Sequence, residues 1–243
     1  MREYGLIGQK LSHSMSQRYF TEKFVSEGLT DCKFTMLEFP AIEDLHRVLE
    51  EHPDLKGFNV TIPYKQQIIP FLSKISDEAR AIGAVNCVRR TADGLSGYNT
   101  DVIGIRRSLD VLLEGETPEA LLLGTGGAAK AVGYALAERG IKYLLVSRDA
   151  SRGDITYGQI TDEVLASHKL VVNATPVGTH PDDDAAPVLP YSALTPEHRL
   201  FDLVYNPPVT KFLDYGRRAG ARILNGETLF RTQAVAGWNI WNE

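Results

Sequence analysis

The sequence predicts an α/β fold built from two units, and three observations support this. Short apolar runs alternate with amphipathic stretches along the chain, which is typical of alternating strands and helices. A glycine-rich turn at 124–127 directly follows one apolar run and precedes an amphipathic stretch. The 243 residues can bury the core of one large or two modest domains. We therefore expect a first α/β domain and a second, Rossmann-like dinucleotide-binding domain with a doubly wound parallel sheet.

The first unit is predicted to alternate strands and helices and to contain one hairpin. The turn Ala92-Asp93-Gly94 follows the apolar run 84–90 and sends the chain back through 95–98, which predicts the hairpin. Strands are predicted over 4–8, 32–39 and 56–62, and helices over 15–27, 42–51, 65–72 and 76–82.

The second unit follows a predicted helix at 102–113, which ends near Gly115. The loop 116–118 separates that helix from a new apolar run, and an acidic, proline-rich loop at 181–190 interrupts the later part of the unit. Strands are predicted over 120–124, 142–147, 170–174, 200–204 and 221–224, with helices over 128–139, 162–167 and 210–219 and a closing helix.

Composition is that of an ordinary globular protein and favours a small-molecule partner. Hydrophobic residues make up 43% of the chain and charged residues 23%, which suggests neither disorder nor a membrane span. A net charge of −5 argues against nucleic-acid binding through nonspecific phosphate attraction. No signal peptide is recognisable, so the cytoplasm is the expected compartment, and the residues predict no metal site. The sequence does not distinguish a monomer from a homodimer.

The glycine-rich turn matches the G-x-G-x-x-G/A fingerprint of dinucleotide sites, in the required context between a strand and a helix. Gly124 allows the tight turn, and Gly126 lets the backbone approach a pyrophosphate. Ala129 lets the helix that begins at Ala128 pack closely while its N-terminal amides bind the anion, and Gly127 and Ala128 are further predicted cofactor contacts. We predict a dinucleotide cofactor at this turn.

The end of the next predicted strand favours NADP over NAD. An NAD enzyme places an acidic residue there for the ribose diol, whereas this chain has Ser147 and Arg148, with Arg152 shortly after. Both arginines can offer charge-assisted hydrogen bonds to a 2′-phosphate. Asp149 is a complication, because it can pair with either arginine or contact a ribose hydroxyl itself. A pair of solvated surface arginines is the alternative.

The segment 173–178 ends a further predicted strand with small residues that let a ligand approach the backbone. Its position outside the carboxyl end of a parallel strand leaves two interpretations equally open, a cofactor contact at Thr175 and an ordinary loop.

Two polar side chains upstream suggest carbonyl reduction beside a hydride donor. Lys65 follows a strand that stops at Pro63, so it is expected at a strand-to-helix corner facing a cleft. Thr100 is a predicted helix N-cap, which places Asp101 in the first turn, where the helix dipole favours an ionised carboxylate. The two corners are expected to face each other. Without further context, an exposed salt bridge is the simpler interpretation.

Ser14 and Gln17 have the spacing of a capping box at the start of the first helix. Hydroxyls and free amides at a helix start also suit a substrate carboxylate, so Ser14 and Ser16 can serve both purposes.

Taken together, these segments resemble the shikimate dehydrogenase family along almost the whole chain. The resemblance is specific because its motifs occur in order. They are the serine segment 12–16, the lysine segment 57–65, the segments 83–88 and 99–101, the glycine turn, and the segments 173–178, 202–207 and 225–234.

The resemblance implies NADP(H)-dependent, reversible reduction of 3-dehydroshikimate to shikimate, without a metal. Lys65 would protonate the ketone oxygen, or donate a charge-assisted hydrogen bond to it, and Asp101 would orient that lysine. By the same resemblance, Ser14 and Ser16 would bind the substrate carboxylate, with Tyr205 nearby. The ring hydroxyls would contact Thr61, Asn86, Asp101 and Gln233, and the cofactor would contact Val204 and Gly226 in addition to the residues above.

The implied domains are a substrate-binding and catalytic domain at 1–103 with 226–243, and an NADP-binding domain at 104–225. Two alternatives stay open: a quinate/shikimate dehydrogenase that uses NAD, and a nonenzymatic NADP(H)-binding sensor on the same fold. The chain between Arg152 and Leu170 is shorter than is usual in the family, which bears on cofactor affinity and on the adenine pocket.

Overall fold

The computed structural model describes residues 1–11 and 14–243. The chain forms two compact units: Met1–Thr100 with Ala234–Glu243, and Asp101–Gln233. The second unit therefore includes residues 101–103 and 226–233, which the sequence-based division assigned to the first domain. The predicted α/β class is confirmed.

The first unit contains a mixed six-stranded sheet in the order β2-β1-β3-β5-β6-β4. β1 pairs in parallel with β2 and β3, whereas β5 runs antiparallel to β3 and β6, as the predicted hairpin requires. The strands are β1 (Arg2–Gly8), β2 (Cys32–Glu38), β3 (Leu55–Val60), β4 (Lys74–Ile75), β5 (Cys87–Thr91) and β6 (Gly94–Tyr98).

The helices of the first unit are shorter than predicted at two places. The predicted helix 65–72 is a four-residue helix followed by a 3₁₀ turn at Ile69–Phe71. Pro70 accounts for the break, because proline has no N–H to donate inside a helix. The predicted helix 42–51 begins with a 3₁₀ turn, Ile42–Asp44. The helices are α1 (Ser16–Ser26), α2 (Leu45–Glu51), α3 (Tyr64–Gln67) and α4 (Asp77–Ile82).

The second unit contains a fully parallel sheet in the order β12-β11-β10-β7-β8-β9, which confirms the doubly wound prediction. Its strands are β7 (Ala120–Leu123), β8 (Tyr143–Ser147), β9 (Ile155–Thr156), β10 (Leu170–Asn173), β11 (Arg199–Asp202) and β12 (Arg222–Leu224). Its helices are α5 (Asp101–Leu113), α6 (Gly127–Glu138), α7 (Asp162–Ser167), α8 (Lys211–Arg218) and the first part of α9 (Glu227–Trp241).

Each unit has its own apolar core. In the second unit, Leu121, Val171 and Leu200 on neighbouring strands are fully buried. In the first unit, an aromatic cluster includes Phe20 and Trp241, so the end of α9 belongs to that core. Among residues 1–11 and 14–243, no helix is long and apolar enough to span a membrane.

Candidate functional site

The residues predicted to bind substrate in the first unit gather at one edge of its sheet. β1, β3 and β6 point in the same direction, so the segments that follow them leave the sheet at a common edge. β5 runs the opposite way, so the segment before it reaches the same edge. Three of the segments contain the predicted substrate contacts Ser14, Thr61 and Asn86, and the fourth contains Thr100, the predicted N-cap before Asp101.

Lys65 lies at the corner that the sequence predicts. α3 begins one residue before it, directly after Pro63, and the Lys65 side chain is half-buried. The backbone carbonyl of Lys65 accepts a hydrogen bond from the N–H of Val85 at 2.7 Å. The corner is therefore tied to the segment that leads into β5.

Asn86 fixes the chain immediately before Asp101. The buried Asn86 Oδ1 accepts a hydrogen bond from the backbone N–H of Thr100 at 2.6 Å, and its Nδ2 lies 3.0 Å from Thr100 Oγ1. Asn99 Nδ2 also donates to the carbonyl of Ala84 at 3.0 Å. Asp101 follows as the buried first residue of α5, as predicted. Lys65 and Asp101 belong to different units, so their meeting stays a prediction.

The predicted capping box at the first helix is wrong. α1 begins at Ser16 with Met15 at the N-cap position and no side-chain cap, so Ser14 lies too early to cap it with Gln17. Ser14 Oγ instead accepts from the N–H of Ser16 at 3.2 Å and donates to Ser16 Oγ at 3.1 Å. The two hydroxyls predicted to bind a carboxylate are thus adjacent. Ser12 and His13, the other residues singled out in this segment, lie outside the described residues.

Thr61 directly follows β3, and its backbone N–H donates to the carbonyl of Ile7 at 3.0 Å. This bond fixes Thr61 against the end of β1, at the same edge as Ser14.

The glycine turn of the second unit joins β7 to α6, as the fingerprint predicts. Gly124 has a φ of 105°, and a Cβ added there would lie 2.9 Å from Thr175 Cγ2. Both the turn and the packing therefore require glycine at 124. A Cβ added at Gly126 would meet no protein atom within 4 Å. The protein itself leaves room beside Gly126, where a pyrophosphate would approach the backbone.

Gly127 and Ala128 are the first two residues of α6 and lie between the turn and the buried Ala129. Their position at the start of a twelve-residue helix suits the predicted contact with an anion.

Thr175 is held at the end of β10, next to the glycine turn. Asn173 Oδ1 accepts hydrogen bonds from the backbone N–H of Thr175 at 3.1 Å and from its Oγ1 at 2.6 Å. Asn173 pairs with Leu123 across β10 and β7. The sheet order reverses between these strands, and ligands bind at such switch points in doubly wound sheets.

The segment after β8 presents both predicted arginines to solvent, since Arg148 and Arg152 are exposed. The buried Ser147 Oγ accepts a hydrogen bond from the N–H of Asp149 at 3.1 Å. Asp149 Oδ1 accepts from the N–H of Ser151 at 2.9 Å and from its Oγ at 2.7 Å. These bonds hold the pKa of Asp149 below its usual value. One oxygen of this carboxylate is thus occupied by its own loop.

Val204 and Gly226 lie side by side after β11 and β12. The N–H of Gly226 donates to the carbonyl of Val204 at 3.0 Å, and a Cβ at Gly226 would lie 2.0 Å from the carbonyl oxygen of Leu203. Close backbone packing therefore explains this glycine without a ligand. The ring centroids of Tyr205 and Phe230 lie 5.0 Å apart. Gln233, also on α9, is buried.

Asp202 begins the motif segment 202–207 without a predicted role of its own, and the structure shows it as a buried carboxylate with several hydrogen-bond donors. Its carboxylate accepts hydrogen bonds from Asn173, Val204 and Thr210. Burial raises its pKa to about 7, against the opposing effect of those bonds. An acidic residue that ends an apolar strand was the only signal in the sequence.

The family model, the related sequences and the similar structures all indicate the same family. Residues 6–88 match the model of the shikimate dehydrogenase substrate binding domain. A shikimate dehydrogenase (NADP(+)) of Carboxydothermus hydrogenoformans is 34% identical, over 98% of this chain and 90% of that protein. The Thermus thermophilus shikimate 5-dehydrogenase structure in complex with NADP(H) and shikimate has a TM-score of 0.86 and 30% identity, over 99% of this chain and 93% of that one.

A quinate dehydrogenase from Corynebacterium glutamicum in complex with NAD is also similar. Its TM-score is 0.86 and its identity 28%, over 99% of this chain and 93% of that chain.

Proposed function

Because the chain belongs to the shikimate dehydrogenase family, we propose that it catalyses the reversible NADPH-dependent reduction of 3-dehydroshikimate to shikimate. This reaction belongs to aromatic amino-acid biosynthesis, and the enzyme works as an NADP-dependent oxidoreductase on a CH–OH group. The observation that supports it most is the clustering at the sheet edges. In each unit, the segments that contain the predicted ligand contacts leave the sheet at one edge.

The lysine supplies the proton of the reaction. When bound, NADPH supplies the hydride that adds to the carbonyl carbon of the substrate. The ammonium group of Lys65 donates a proton to the oxygen, so the ketone becomes a secondary alcohol and the lysine becomes neutral until it is reprotonated. Asp101 is proposed to orient the ammonium group. The reverse reaction runs through the same groups.

The remaining predicted residues orient the ring. Ser14 and Ser16 present adjacent hydroxyls at the start of α1, which suits one carboxylate. Thr61, Asn86 and Gln233 hold ring hydroxyls, and Tyr205 lies near the carboxylate.

NADP is the cofactor, and the arrangement after β8 supports that choice over NAD. Oδ1 of Asp149 accepts two hydrogen bonds from Ser151, which leaves less of this carboxylate for a ribose diol. Arg148 and Arg152 remain exposed to receive a 2′-phosphate. The space beside Gly126 fits the pyrophosphate.

The proposal places the enzyme in the cytoplasm, as a monomer or homodimer with small-molecule ligands. The net charge of −5 and the ordinary composition support a soluble protein that does not bind nucleic acid.

The deciding experiment follows cofactor reduction spectroscopically with shikimate or quinate, each with NADP or NAD. We expect the highest kcat/KM with shikimate and NADP. A higher value with quinate and NAD identifies a quinate dehydrogenase instead. Cofactor binding without turnover of either substrate identifies a nonenzymatic sensor.

A further inference from the structure

Asp202, at the carboxyl end of β11, is a fully buried carboxylate that accepts three hydrogen bonds. Its Oδ1 accepts from the backbone N–H of Val204 at 3.0 Å and from Asn173 Nδ2 at 2.9 Å. Its Oδ2 accepts from Thr210 Oγ1 at 2.6 Å. Thr210 is in turn the N-cap of α8, where its Oγ1 accepts from the N–H of Leu213. None of these donors to the carboxylate is a cation.

The bond to Asp202 is one of the contacts that orient the Asn173 amide, whose Nδ2 also donates to the carbonyl of Val177 at 3.3 Å. Because Asp202 only accepts at this point, Asn173 must turn its Nδ2 toward the carboxylate. The Asn173 oxygen then faces Thr175 and accepts from both its N–H and its hydroxyl. Asp202 therefore supports the position of Thr175 through one intermediate side chain.

The network extends to the turns after four neighbouring strands. Thr175 packs against Gly124, where an added Cβ would lie 2.9 Å from the threonine methyl group. Val204 is fixed by Asp202 on one side and accepts from the N–H of Gly226 on the other. These turns follow β7, β10, β11 and β12 and contain cofactor contacts of the proposed function.

Burial of a carboxylate at this position costs free energy, because removal from water disfavours the ionised form. Burial accordingly raises the pKa of Asp202 to about 7. A role in orienting the surrounding donors accounts for an acidic side chain here, where an apolar one would satisfy packing alone.

We propose that Asp202 is a positioning residue that fixes the segments 174–178 and 203–205 and thereby sets the affinity for NADP(H). The inference rests on the proposed function, since it takes this sheet edge to be the cofactor site. It adds a residue that does not need to touch the cofactor itself.

The test measures the NADP dissociation constant by direct titration, the shikimate KM at saturating NADP, and the thermal unfolding midpoint. Asp202→Ala removes all three acceptor contacts, so NADP should bind at least about ten-fold more weakly, with the shikimate KM changed by less than about two-fold. Asp202→Asn keeps one oxygen for Val204 and Asn173, so the expected loss is smaller, about three-fold. If the Asp202→Ala variant does not fold, the Asp202→Asn variant still tests the proposal.

A matched control lies at the other end of the same strand. His198 directly precedes β11, is fully buried, and bonds through Nε2 to the carbonyl of Leu165 at 3.0 Å. His198→Ala should lower the unfolding midpoint while leaving the NADP dissociation constant within about two-fold of wild type. If Asp202 only stabilises the fold, its variants should likewise show a lower unfolding midpoint and a nearly unchanged NADP dissociation constant. That result would overturn the proposal.

A double-mutant cycle tests the route through Asn173. In an Asn173→Ala background, Asp202→Asn should weaken NADP binding much less than it does in wild type. Fully additive effects would overturn the relay. Wild-type protein that binds no NADP would refute the proposed function, whereas normal binding in every variant would refute this inference alone.

Discussion

At the scale of single residues, Lys65 is the side chain on which the proposed chemistry depends. We expect Lys65→Ala to lower kcat by about 10²- to 10⁴-fold, because the proton donor acts in the transition state. The shikimate KM should change little, since ground-state binding rests on the serines and the other hydroxyl-binding residues. Steady-state kinetics in the direction of shikimate oxidation measures both.

Lys56 is a suitable control, because it is an exposed lysine on β3 of the same unit. Lys56→Ala should leave kcat and KM at wild-type values. A Lys65→Ala variant that keeps wild-type turnover would remove Lys65 from the mechanism.

Arg148 is expected to distinguish the two cofactors. Arg148→Ala should weaken NADP about ten-fold or more, because a charge-assisted bond to the 2′-phosphate is lost, and it should leave NAD affinity nearly unchanged. Titration of the variant with each cofactor measures the difference.

Arg107 provides the comparison, since it is an exposed arginine on α5 of the same unit. Arg107→Ala should alter neither affinity. Equal losses of NADP and NAD affinity in Arg148→Ala would place Arg148 away from the 2′-phosphate.

Some residue-level features were accessible from the sequence and others were not. The first-turn position of Asp101 followed from local helix signals and is confirmed. The orientation of Asp149 toward Ser151 is a choice among several nearby partners, which sequence alone leaves open. The bond between Asp202 and Asn173 joins residues on different strands, so no local pattern encodes it.

At the scale of elements, the turn between β7 and α6 contains two glycines that we expect to be needed for different reasons, Gly124 for folding and Gly126 for cofactor binding. Gly126→Ala should leave the unfolding free energy almost unchanged, because the added methyl group meets no protein atom, but it should weaken NADP binding. Gly124→Ala should destabilise the protein by about 1–3 kcal/mol, because alanine is strained at positive φ and contacts Thr175. Denaturant unfolding and NADP titration of both variants give the comparison.

The two variants are controls for each other, because Gly126→Ala should mainly weaken NADP binding and Gly124→Ala should mainly lower the unfolding free energy. Wild-type NADP affinity in Gly126→Ala would show that the open space beside this residue is not used by the cofactor.

Helices and strands were predictable from the sequence where a single hydrophobic periodicity continued along the segment. The glycine turn, α6 and the hairpin of β5 and β6 all appear as expected. The start of α1 was misplaced because Ser14 has cap-forming chemistry, although the helix begins only at Ser16. Cap identity depends on backbone geometry that a spacing pattern does not contain.

At the scale of the whole molecule, α9 is divided between the units, with its residues up to Gln233 in the second unit and those from Ala234 onward in the first. Trp241, near its end, is buried and stacks on Tyr4 at a centroid distance of 5.3 Å, with Phe20 also at 5.3 Å. Trp241→Ala should destabilise the first unit by about 3–5 kcal/mol, whereas Trp241→Phe should cost less than about 2 kcal/mol. Chemical denaturation measures both.

NADP affinity should stay close to wild type in both tryptophan variants, because the predicted cofactor contacts lie in the second unit. An unchanged denaturation midpoint in Trp241→Ala would contradict the role assigned to this side chain in the first core.

The chain order of the two units has a consequence for biosynthesis. Residues 234–243 leave the ribosome after all of 101–233, yet they complete the core that starts at Met1. While the second unit is being translated, the core of the first unit is incomplete, because Phe20 and Phe34 still lack their contact with Trp241. The second unit can therefore fold first. This reverses the usual N-terminal-first order of cotranslational folding and leaves the apolar surface of the incomplete first unit exposed until residues 234–243 are made.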